Sequence, residues 1–172
     1  MSGPLRRARR GFTLIEILLG VVIVGVLASI ALPVYQGMSM RSRIAERDPI
    51  MRSIATAVGE QVLQSKPLPA AFQGLPRPVA ESALGTHPMP WTQDPGASDG
   101  WKDLPRVFDG STYCTYSFAL DPIAVPVKLY VRSVCDIDGD GVPNVKVQVY
   151  DGVGKAFVLN SALSVESDPN VF

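Results

Sequence analysis

The chain has 172 residues and a formal net charge of zero, 16 Lys and Arg against 16 Asp and Glu. That length suits one compact domain plus one further element, and the balanced charge offers no basic surplus with which to hold nucleic acid. One histidine, His87, and two cysteines, Cys114 and Cys135, argue against a zinc site, and no phosphate loop or nucleophile–base pair is legible, so no catalytic site is expected.

The balance hides an asymmetry. Arg6, Arg7, Arg9 and Arg10 lie in the first eleven residues, which carry no acid; without them 12 basic side chains face 16 acidic ones, a net of −4. A basic tip ahead of an apolar run fits the cytoplasmic side of a membrane. From Phe12 to Val34 the sequence is FTLIEILLGVVIVGVLASIALPV, with Glu16 its one charge. These 23 residues make roughly 35 Å of helix, enough to cross a hydrocarbon core of about 30 Å. A chain this short can hardly surround a helix that is apolar on all sides, so a span is expected rather than a core helix.

Between Tyr35 and Lys66 the apolar residues Ile44, Met51, Ile54, Val58 and Val62 recur near one helical face. Arg43, Glu46, Ser53, Thr56, Glu60 and Gln64 fall mostly elsewhere. The helix is therefore expected to continue as an amphipathic element, kinked or loosened at Pro33 and Pro49. Residues 67–111 hold eight of the 15 prolines and both tryptophans, and read as a connecting loop with a short helix near Val79–Leu84. Strand-like runs follow at Tyr113–Leu120, Val127–Cys135, Asn144–Tyr150 and Lys155–Leu159, with connections short enough for an antiparallel sheet. The expected fold class is α+β: a leader at 1–11, a long helix at 12–66 that spans the membrane over 12–34, a loop region at 67–111, and a sheet at 112–172 packed on the helix's apolar stripe.

The segment RRARR-GFTLIE resembles the class III leader of type IV pilins and type II secretion pseudopilins: a basic leader (Arg6–Arg10), Gly11, Phe12, then an acid, Glu16, at the fifth position after the cut. Gly25 and Pro33 also stand where pilin helices commonly carry those residues. The resemblance covers residues 5 to about 35; beyond them it is architectural only. It implies that a membrane prepilin peptidase cuts after Gly11 and methylates the new amine on Phe12. A small residue at the cut lets a protease approach the backbone, and the apolar helix stays attached to the product. An ordinary secretory signal would lose its apolar segment instead. A twin-arginine signal, the competing reading of Arg9 and Arg10, would place the cut near Ala28–Ala31 and leaves Glu16 and the amphipathic extension without a purpose.

Glu16 has two readings. It is a first-turn acid that favours the helix dipole, or, as the resemblance implies, it pairs with the Phe12 amine of a neighbouring subunit. Amine and carboxylate are each costly alone in an apolar setting, so pairing would favour one axial register between subunits.

Cys135-DIDGDGVPN-Val145 opens like an EF-hand calcium loop, with Asp136, Asp138 and Asp140 at positions one, three and five and Gly141 at the turn. Val142 stands where a backbone carbonyl would contribute and Asn144 at position nine, but position twelve is Val147 instead of a bidentate Glu. A plain acidic turn between strands is the other reading. Cys114 and Cys135 form either a disulfide, if the sheet folds outside the cytosol, or two buried thiols. Trp91 and Trp101 serve either as exposed anchors or, more in keeping with a thin core, as packing.

The expected function is a structural subunit of a type IV pilus filament, homo-oligomeric or mixed. Its partners would be a prepilin peptidase and the pilus or secretion assembly machinery. The precursor would sit in the inner membrane and the product in an extracellular pilus or periplasmic pseudopilus. A type II secretion pseudopilin is the alternative within the resemblance. A membrane-tethered periplasmic calcium-binding module is the alternative from another class.

Overall fold

A computed structural model describes residues 11–63, 72–81, 84–92 and 99–167. The chain divides into two compact units, residues 1–39 and 40–172.

The described residues of the first unit are mostly helical. Helix α1 runs Leu14–Ile44, so its last turn falls within the second unit. No residue of α1 is buried. Pro33 lies inside it and the helix continues through. It is the one helix among the described residues long and apolar enough to cross a membrane.

In the second unit α2 spans Arg47–Val62. The helix expected over 12–66 is thus divided at Ala45–Glu46. The cause is legible: Pro49 has no N–H to offer the carbonyl of Ala45, and its ring crowds that carbonyl. Placed in the first turn of α2, Pro49 costs that helix nothing. The stripe of Met51, Ile54, Val58 and Val62 is fully or almost fully buried, as its spacing suggested, with Ile50 and Ala55 beside it. Truncating any of the larger of these to Ala would cost about 2–5 kcal/mol.

That stripe packs on an antiparallel five-stranded sheet. Its strands are β1 (Gln73–Arg77), β4 (Cys114–Asp121), β5 (Lys128–Cys135), β6 (Asn144–Val153) and β7 (Ala156–Glu166), in the order β1-β4-β5-β6-β7. The two-residue strands β2 (Met89–Pro90) and β3 (Ser111–Thr112) pair separately. The four expected strands are present, the last running seven residues beyond the Leu159 at which its Val/Phe run ends.

Residues 67–111 are less loop-like than expected. They contain β1, whose sequence QGLPR reads as a turn; an edge strand tolerates Pro76 because no neighbour needs its missing N–H. Gly74 is required there: a Cβ at that position would lie 2.3 Å from the Phe118 ring and 2.5 Å from Trp101 Nε1. The short helix expected near Val79–Leu84 does not include Val79 or Ala80, and residues 82–83 lie outside the described residues. A 3-10 turn at Gly100–Asp103 seats Trp101, which is fully buried and donates from Nε1 to the Leu75 carbonyl at 2.7 Å. Trp91 packs edge-on against it at 5.4 Å, so the tryptophans extend the core.

Candidate maturation, assembly and metal sites

Gly11 and Phe12 precede α1 in exposed, non-helical chain, Phe12 at 81% exposure, and nothing lies within 4 Å of a Cβ built at Gly11. Arg6, Arg7, Arg9 and Arg10 lie outside the described residues. Glu16 Oε2 accepts from the Thr13 N–H at 3.0 Å and the Thr13 hydroxyl at 2.9 Å, while the Glu16 N–H donates to the Thr13 hydroxyl at 3.4 Å. This is a capping box, which satisfies main-chain donors that the first turn of a helix leaves without partners. The signal is in the sequence, Thr13-Leu-Ile-Glu16, and neither the dipole reading nor the amine-pairing reading of Glu16 includes it. In the isolated chain, then, Glu16 is a cap, and its carboxylate sits against the Phe12–Thr13 peptide.

The register of the sheet explains the second site. Cys114 pairs with Cys135 and Cys135 with Asn144, so three strands are aligned at one end of the sheet. Cys114 and Cys135 are fully buried with Cα atoms 4.3 Å apart and form a disulfide. Residues 136–143 then form the turn from β5 to β6. Gly139 and Gly141 adopt φ of +75° and +81°, a region that side chains disfavour. Asp136, Asp138 and Asp140 each accept a main-chain N–H, from Gly139 at 2.8 Å, Asp140 at 3.3 Å and Val142 at 2.7 Å. Those bonds orient the carboxylates, and one oxygen from each lies within 4.8 Å of the others.

Asn144, expected as a metal ligand at position nine, is fully buried and its Oδ1 accepts from Arg47 Nη1. Its oxygen is engaged by a guanidinium, so the donor set reduces to three carboxylates and any backbone carbonyl, such as that of Val142. This fits a hard cation that completes its shell with water better than a full EF-hand cage.

Arg47 is the residue that sequence reasoning missed. It is 4% exposed; its other terminal nitrogen pairs with Glu166 on β7, and Asp48 lies 3.8 Å from its Nε. Lys146 completes the network, 2.9 Å from Asp48 and 3.3 Å from Glu166. Glu46, next to it, accepts from the Thr112 hydroxyl and the Tyr113 N–H at 2.9 and 3.0 Å. No local signal marks Arg47, because its partners lie 97 and 119 residues away.

Against known families, residues 6–32 match the Prokaryotic N-terminal methylation motif. Among curated proteins, the chain is 37% identical over 60 residues to a fimbrial protein of Pseudomonas aeruginosa, covering 35% of this chain and 39% of that one. It is 32% identical over 89 residues to type II secretion system core protein G of the same species, covering 52% and 63%. It is 40% identical over 55 residues to type IV major pilin protein PilE1 of Neisseria gonorrhoeae, covering 32% and 33%. The chain thus spans between 33% and 63% of the length of these relatives. No solved structure matches it.

Proposed function

Given a chain whose N-terminal segment is the methylation motif shared with type IV pilins and type II secretion pseudopilins, we propose that it is a structural subunit of a type IV pilus filament. A prepilin peptidase cuts it after Gly11, methylates the Phe12 amine, and leaves α1 in the inner membrane until assembly. The observation that carries this reading is the methylation motif at 6–32 on a helix that buries none of its residues. Such a helix must be covered by lipid before assembly and by other copies afterwards.

The chemistry of assembly follows from the first turn. Cleavage removes four arginines and creates an amine at Phe12. In an apolar bundle that amine and the Glu16 carboxylate are each expensive alone, and pairing them between copies offsets both costs. The capping box gives Glu16 a partner until then. Thr13 also keeps the carboxylate near the helix start, where a neighbour's amine would meet it. The test is the N-terminus of protein sheared from cells: it begins at N-methylated Phe12. A start beyond Ala28 would overturn the reading.

A type II secretion pseudopilus is the second reading, favoured by the longer match to core protein G, 89 residues. Filaments recovered outside the cell by shear support the pilus. Their absence, together with loss of protein secretion on deletion, supports the pseudopilus.

We further propose that Asp136, Asp138 and Asp140 hold a calcium ion with the Val142 carbonyl and water. The support is the clustering of their oxygens within 4.8 Å. The ion would neutralise crowded carboxylates beside the disulfide and would not involve Asn144.

A further inference from the structure

Asp138 and Asp140 of the acidic turn are exposed, whereas Asp136 is 8% exposed and its neighbour Ile137 1%. The Asp136 carboxylate accepts from the Gly139 N–H of its own turn, and no basic side chain among the described residues forms an ion pair with it. Instead it faces two further carboxylates, with one oxygen from each of the three within 4.8 Å of the others. A buried charge is ordinarily paired with an opposite one or bound to a metal, and Asp136 has no protein cation to pair with.

The two ends of this turn are held from different parts of the chain. At its entry, Cys135 is bonded to Cys114. At its exit, Asn144 stands opposite Cys135 in the sheet register, and its Oδ1 accepts from Arg47 of α2. The next residue, Val145, exchanges two bonds with Ser167 just past β7. Its N–H donates to the Ser167 hydroxyl, and the Ser167 N–H donates to its carbonyl, both at 2.8 Å. Arg47 also holds that neighbouring strand, through Glu166. One guanidinium therefore grips both the residue that ends the turn and the strand beside it. Arg47 and Asn144 are both buried, so the grip is made away from solvent, where hydrogen bonds are electrostatically stronger.

We infer that Arg47 is a positioning residue for the calcium loop: it forms no ion pair with the loop's carboxylates, but by fixing Asn144 it sets the backbone from which Asp140 and the Val142 carbonyl are presented. This rests on the calcium reading above. A short, open loop binds an ion most tightly when its ligands are spaced beforehand, because any ordering on binding subtracts from affinity. Groups outside the ligand shell that orient the ligands carry about 10–100-fold in metal affinity. The coupling is reciprocal: whatever Arg47 contributes to calcium affinity, calcium returns to the seating of α2 on the sheet. Calcium thereby tightens the start of α2, the element that follows α1 in the chain.

The test measures calcium binding to the full chain in detergent, by competition with a chromophoric chelator, well below the melting temperature. Wild type is expected to bind saturably and Asp138→Ala is not. Arg47→Met should raise Kd by about tenfold. Arg47→Lys keeps a cation for Glu166, but a single ammonium cannot grip Asn144 as well; it should raise Kd at least about fivefold, and it carries the test if Arg47→Met does not fold. Val58→Ala destabilises the same helix about three turns further along and should leave Kd within about twofold of wild type. The calcium-induced rise in Tm should shrink in the Arg47 variants and persist in Val58→Ala. Saturable binding by wild type with Kd unchanged in the folded Arg47 variants would overturn the positioning role and leave the calcium reading intact. An equal loss of affinity in Val58→Ala would overturn it too, since Arg47 would then act only through the stability of the fold. Absence of saturable binding by wild type would overturn both.

Discussion

Replacing Arg47 by Met tests whether the start of α2 is fixed by its buried charge network. The substitution keeps most of the side-chain volume and removes the guanidinium. Glu166 loses its partner but keeps Lys146 at 3.3 Å, and Asn144 loses the donor that Arg47 supplies. Breaking a buried ion pair outright costs about 3–5 kcal/mol, and depriving a buried acceptor of its donor about 1–3 kcal/mol. Because Lys146 remains, the expected loss is about 2–3 kcal/mol. At roughly 2–4 °C per kcal/mol for a chain of this size, that lowers Tm by roughly 5–10 °C. The assay is thermal unfolding of the full chain in detergent, followed by circular dichroism. Lys146→Met, at the more exposed side of the same network, should cost about 1 kcal/mol or less. A double-mutant cycle of Arg47→Met with Glu166→Gln should show coupling above about 0.5 kcal/mol. Arg47→Met within about 0.5 kcal/mol of wild type would refute the reasoning, since a 4% exposed guanidinium cannot be removed so cheaply if its pairs are formed.

Cys114→Ser with Cys135→Ser should destabilise the sheet by about 3 kcal/mol, from a separation of 21 residues, without affecting cleavage after Gly11; non-reduced peptide mapping and a melt check both halves. Calcium should raise the Tm of the full chain and a chelator lower it, with the difference abolished in Asp138→Ala; equal melts in calcium and chelator would leave the acidic turn as a turn. The Asp151 carboxyl is held below its ordinary value of 3.8, first by the hydrogen bond from Lys128 and then by that from Asn160. Its contribution is therefore complete above that ordinary value and is lost as pH falls through the lower folded value, so Asp151→Asn should flatten the stability curve below about pH 4. A wild-type acid limb in that variant would assign the loss to other carboxylates.

Sequence periodicity carried the long-range architecture because each pattern had one physical solution. An all-apolar run with one acid has to be covered by lipid or by like helices, and the stripe of Met51, Ile54, Val58 and Val62 has to meet a sheet. Cys114 and Cys135 were legible as a pair but not as a register; only the pairing of β4 with β5 sets them opposite each other. Strand β1 was hidden because Gly74 and Pro76 are turn residues by local chemistry and serve a strand only at an edge, where Gly74 makes room for Trp101. Spacing alone places Asn144 in the acidic loop. Its Oδ1 accepts from Arg47, 97 residues earlier, and nothing local announces that contact. The capping box at Thr13 and Glu16 was local and readable, and it alters how Glu16 must be tested, since Ala removes the cap and the charge together.

Glu16→Gln separates them. Glutamine keeps an acceptor oxygen for Thr13, so the cap survives, while the charge that would pair with a neighbouring Phe12 amine is gone. The measurement is the ratio of sheared filament protein to membrane-pool protein for wild type, Glu16→Gln and Glu16→Ala, each checked for cleavage at Gly11. If the charge pair drives assembly, both variants are cut and inserted normally and both give low ratios, partly rescued by co-expressed wild type. A wild-type ratio for Glu16→Gln beside a low one for Glu16→Ala would make Glu16 a helix cap and contradict assembly through the amine.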